Sequence, residues 1–73
     1  MNLGKYIENL KNDLENGGVA DDSVAVLCYI TAANRAKEVI QAGGPEKETA
    51  QNFLDLCMQS DCEGLKSIVS SFV

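Results

Sequence analysis

With 73 residues, eleven acidic against six basic side chains and a net charge of −5, the chain has material for one hydrophobic core and so for a single domain over residues 1–73. The acidic balance opposes the electrostatic footprint of a nucleic-acid backbone binder, and no stretch approaches the roughly 18 apolar residues of a membrane span. The absence of histidine removes the commonest general base, every Ser-His or Cys-His nucleophile pair and the usual catalytic metal ligands.

The first helix is expected over about residues 2–16. Leu3, Ile7, Leu10 and Leu14 recur at alternating four and three spacing with Tyr6 beside them, while Lys5, Glu8, Asn12 and Glu15 fall opposite. Two heptads are too few for a coiled coil, so this stripe reads as one edge of a bundle. Met1 to Leu10 lacks the apolar core of a signal peptide, and the expected compartment is the cytoplasm. Gly17-Gly18 then marks the helix end, glycine being the usual left-handed cap.

The second helix, about residues 22–42, is expected to be central. Ala25, Val26, Tyr29, Ile30, Ala32, Ala33, Ala36, Val39 and Ile40 cover nearly half of its wheel, with Ile30 and Ala33 near the middle of that face. Asn34, Arg35, Glu38 and Gln41 face away. In the first half Val24, Leu27 and Cys28 add apolar groups to the other side, so this part is expected to be covered from more than one direction. Gly43-Gly44 ends it, and Pro45 suits the first turn of the next helix.

The third helix, about residues 45–59, carries Ala50, Phe53, Leu54 and Cys57 at i, i+3, i+4, i+7, with Leu56 and Met58 on its flanks. Ser60 and Glu63 stand three apart before the next apolar run, the spacing of a capping box. A fourth helix, about residues 61–71, follows with Leu65, Ile68, Val69 and Phe72 on one face. Period-two alternation is nowhere sustained, so the expected fold is all-α: a compact small bundle of three to four helices.

Cys28, Cys57 and Cys62 are too few and too irregularly spaced for a disulfide framework, and without histidine they fall one ligand short of a structural zinc site. They read as small hydrophobes. Asp21, Asp22, Glu46, Glu48, Asp61 and Glu63 cluster at expected helix beginnings, where negative charge complements unpaired N–H groups. No phosphate-binding glycine loop or calcium loop fits, and no cofactor is expected. Asp22-Ser23, opening the second helix of an acidic four-helix chain, locally resembles the attachment serine of acyl and peptidyl carrier proteins. That family has leucine where Val24 stands and a longer preceding loop, so Ser23 reads first as a helix cap.

With no catalytic constellation, the expected function is protein–protein interaction: a small regulator, adaptor or inhibitor of a larger protein partner, acting as a homodimer. A core this thin leaves a surplus of apolar positions, and Val24, Leu27, Cys28, Leu56, Met58 and Phe72 are the candidate partner-binding residues. The alternatives are a carrier modified at Ser23 and an acidic nucleic-acid mimic that blocks a nucleic-acid-binding protein. A mimic would release its partner steeply as salt rises.

Overall fold

A computed structural model describes residues 3–72, and these form four α-helices and no strand: α1 (Leu3–Glu15), α2 (Val24–Ala42), α3 (Lys47–Gln59) and α4 (Glu63–Ser70). The expected start of the first helix at Asn2 lies outside the described residues. The radius of gyration, 11.2 Å, matches the ~11 Å of a close-packed chain of this length, so all four helices are docked. α2, the longest, touches each of the others and packs most broadly on α3. α3 also reaches all three, and α1 and α4 flank the α2–α3 pair without meeting each other among the described residues.

The core follows the apolar spacing closely. α3 buries Ala50, Phe53, Leu54 and Cys57, the four positions of its i, i+3, i+4, i+7 set. Leu3 and Leu10 enter from α1, Leu65 and Val69 from α4, and Val26, Tyr29, Ala32, Ala33 and Ala36 from α2. Ile30 departs from expectation. It is only partly buried, because the buried arc of α2 is centred on Tyr29, Ala33 and Ala36 and leaves Ile30 on its margin.

The helix ends show which side chains stop the chain and which do not. The Ser23 hydroxyl accepts the Val26 N–H at 3.4 Å and caps α2. Gly43, at φ 69°, closes the far end with its N–H shared between the Val39 and Ile40 carbonyls. Pro45 lies in the turn before α3 and not in its first turn, since Lys47 N–H bonds back to the Gly44 carbonyl at 3.1 Å and the helix begins there.

The expected capping box before α4 does not form. Ser60 instead ends α3, its buried hydroxyl donating to the Cys57 carbonyl at 2.8 Å, and Cys62 occupies the cap position with no side-chain bond to the helix. The α4 N-terminus is served from a distant part of the chain. Asp21, in the connection between α1 and α2, takes the Gly64 N–H at 3.4 Å and the Cys62 thiol at 2.9 Å on the same carboxylate oxygen. Val19 from that connection is buried in the core, and a side chain at Gly18 would come within 3.3 Å of the Asp61 carboxylate at a φ of +91°.

Candidate interaction surface

The first half of α2, expected to be covered from more than one direction, packs against the other helices but stays open on the side that carries its extra apolar groups. Val24 is 76% exposed and Leu27 65% exposed, and Cys28 is exposed beside them. The physical reason is the count of layers: α1, α3 and α4 all take their contacts with α2 on its buried arc, so nothing among the described residues remains for the opposite face. Thr31 completes this strip at i+7 from Val24. Its hydroxyl donates back to the Leu27 carbonyl at 3.0 Å, and the residue is exposed like its neighbours on the strip.

Farther along, the same exposed side becomes polar. Asn34, Arg35, Glu38 and Gln41 occupy it, with Arg35 and Glu38 paired at 3.1 Å. Both are well exposed, so this pair adds little to stability. The outer side of α2 is therefore apolar at its N-terminal end and charged at its C-terminal end.

The other three candidates lie elsewhere. Met58, 44% exposed, and half-buried Phe72 meet in a groove of about 200 Å³ between α2, α3 and the end of α4, floored by Leu54 and Val69. The Lys37 ammonium lies 5.0 Å from the Phe72 ring centroid, where the ring face attracts it, and Ser70 donates to the Met58 sulfur at 3.5 Å. Leu56 is half-buried, lining a separate groove with Ile7 and Lys11. The six candidates thus divide among three places, and only Val24, Leu27 and Cys28 form a continuous exposed strip. Thr31 was missed by sequence reasoning, although the seven-residue step from Val24 was its signal.

No buried side-chain polar atom among the described residues lacks a hydrogen-bond partner, so no orphaned group points to an internal ligand site. Nor do three carboxylates or thiols converge. Cys57 and Cys62 are buried, free thiols, in keeping with their reading as packing residues, whereas Cys28 is free and open to solvent. The thiol of Cys62 and the backbone N–H of Gly64 hold the Asp21 carboxyl below the ordinary carboxylate range, while burial and the Asp21 charge raise the Cys62 thiol.

Alkali tests this packing directly. Burial pushes the Cys57 thiol up to about 12 from an ordinary value near 9, and burial with the Asp13 carboxylate, which accepts the Tyr29 hydroxyl proton, raises Tyr29 as well. A neutral group whose folded pKa is raised contributes its full stability below the unfolded pKa and loses it as pH climbs toward the folded value. The window for Cys57 therefore opens near pH 9 and closes near 12. By pH 11 about 2–3 kcal/mol should be gone from this thiol. Urea midpoints at pH 8 and 11 measure the drop, and Cys57→Ala should shrink it.

The described residues form an acidic four-helix bundle with an exposed apolar strip on α2. The chain matches no protein-family model, no curated protein and no solved structure. Among the described residues no helix is long and apolar enough to cross a membrane.

Proposed function

We propose that this chain is a protein–protein interaction module, a small regulator, adaptor or inhibitor of a larger protein, that acts as a homodimer and self-associates through the outer face of α2. The observation that carries this reading is the exposed run of Val24, Leu27 and Cys28 on successive turns of one helix. Single exposed apolar residues are ordinary, but contiguous ones are costly to leave in water and mark contact surfaces. The face lies on a continuous helix whose other side is locked into the core, so it is presented rigidly and binding needs little ordering.

The strip is narrower than the roughly 800 Å² per partner of a standard interface, so self-association should be weak, with a Kd of about 10–100 µM. Leu27→Asp is the decisive substitution. Leu27 is largely exposed, so the variant should keep its helical circular dichroism, while a charge placed in a desolvated contact should weaken dimerisation by at least roughly a hundredfold. Light scattering and a sizing column across the concentration series read both. A folded variant that dimerises as the wild type does would remove α2 from the interface.

A further inference from the structure

We infer that the outer face of α2 docks on the same face of a second copy, with the two α2 helices antiparallel, Cys28 beside the two-fold axis, and Arg35 of each copy set against Asp22 of the other. This rests on the α2 face being the contact surface of the homodimer, and goes beyond it by fixing the orientation and the residues that pair. The argument begins from the order of residues along the exposed side. Val24, Leu27, Cys28 and Thr31 form an i, i+3, i+4, i+7 set, the spacing of one helix seam. At one end stands exposed Asp22, just before the cap; at the other stands Arg35, the chain's one arginine.

A strip with Asp22 at one end, apolar groups in the middle and the Arg35–Glu38 pair at the other turns, when reversed, a guanidinium toward each Asp22. A two-fold contact puts the same patch on both copies, so residue i meets residue j and j meets i. Antiparallel α2 helices centred between Leu27 and Cys28 lay Val24 over Thr31 and Leu27 over Cys28. Arg35 then sits about 11 Å along the axis from the midpoint. Asp22, carried beyond the extended Ser23 backbone, sits about 9–10 Å the other way, and the long arginine side chain spans the difference. A parallel pairing would instead put Arg35 on Arg35 and Asp22 on Asp22.

The groups already present near this face permit the pairing. Asp22 makes no hydrogen bond or ion pair among the described residues, whereas Asp21 is committed to Cys62 and Gly64. Arg35 is joined to Glu38 through one terminal nitrogen, and the planar fork of a guanidinium has further donors to offer a second carboxylate. Asp22 and Arg35 therefore act as polar ends that set direction, while Val24, Leu27 and Cys28 supply the apolar contact, with Thr31 opposite Val24.

Sedimentation equilibrium on charge variants of the whole chain tests the orientation. Arg35→Glu and Asp22→Arg should each weaken the dimer roughly three- to tenfold, since each loses two exposed pairs and gains two repulsions. The double variant rebuilds the pairs with the charges exchanged and should return to within about threefold of the wild type. Asp22→Asn, which deletes charge without reversing it and spares the helix start a cation, should give a smaller loss. Diamide treatment should join Cys28 to Cys28 of the second copy, the reagent taking both thiol hydrogens as the sulfur–sulfur bond forms, and Cys28→Ser should abolish the product.

Additive losses in the double variant, single variants without effect, or a dimer that yields no Cys28 cross-link would each overturn the antiparallel arrangement. If Leu27→Asp still abolishes the dimer in that case, the contact face stands and only its orientation falls. A wild-type chain that stays monomeric at millimolar concentration would overturn the second copy as occupant and leave the face to another protein. A dimer unaffected by Leu27→Asp would overturn both readings together.

Discussion

Phe53→Ala should cost the domain more stability than any other single truncation of its core. Phe53 is fully buried and is the largest side chain to be so, on the one helix besides α2 that touches all the others. Tyr6 meets it edge-on, with ring centroids 6.5 Å apart and planes at 81°, the arrangement in which a positive ring edge faces a negative ring face. Truncation loses the transfer energy of the ring, opens a cavity and forfeits that contact, a sum of about 3–5 kcal/mol. A domain this small holds roughly 4–11 kcal/mol in total, so the loss takes a large share of it and the variant should melt well below the wild type. Urea or thermal melts read the loss, and Phe53→Leu, which refills much of the space, should recover about half of it. A Phe53→Ala loss below about 1 kcal/mol would mean that the site collapses around the smaller residue.

The spacing of apolar residues foretold the core of this fold, and local chemistry foretold some of its joints. Ala50, Phe53, Leu54 and Cys57 went where a 3.6-residue period sends them, and Ser23 and Gly43 capped α2 because their neighbours along the chain supply all that those caps require. The start of α4 was different. Ser60 and Glu63 have the spacing of a capping box, yet the packed chain gives that helix Asp21, more than forty residues away. Period alone cannot report a contact between two loops. The same limit explains the candidate surface: the wheel shows apolar groups all round the first half of α2, but which side stays open depends on where three other helices find room. Leu56 and Phe72 were grouped with Leu27 as surplus apolar residues, and packing took both of them half into the bundle.

Ala33→Leu should be comparably harmful for the opposite reason. Ala32, Ala33 and Ala36 on α2 and Ala50 on α3 have no exposed surface at all, and small side chains are what allow packed helices to approach closely. Three added carbons at position 33 have no cavity to enter, so α2 must move off α3 or neighbouring side chains must leave their rotamers, at a cost of about 1–3 kcal/mol or more. The larger value is expected here, because a shift of α2 also pulls Tyr29 away from the Asp13 carboxylate and so loosens α1. Ala42→Leu, on the exposed last residue of the same helix, controls for the added side chain itself and should stay within about 0.5 kcal/mol of the wild type. Ala33→Gly separates crowding from shape: it leaves the helices free to stay close and should cost only about 1 kcal/mol from helix propensity, plus the small loss of one buried methyl. Urea unfolding of the three variants gives the ranking. If Ala33→Leu is no worse than Ala33→Gly, the α2–α3 contact has room to spare, and its alanines are not what holds the two helices close.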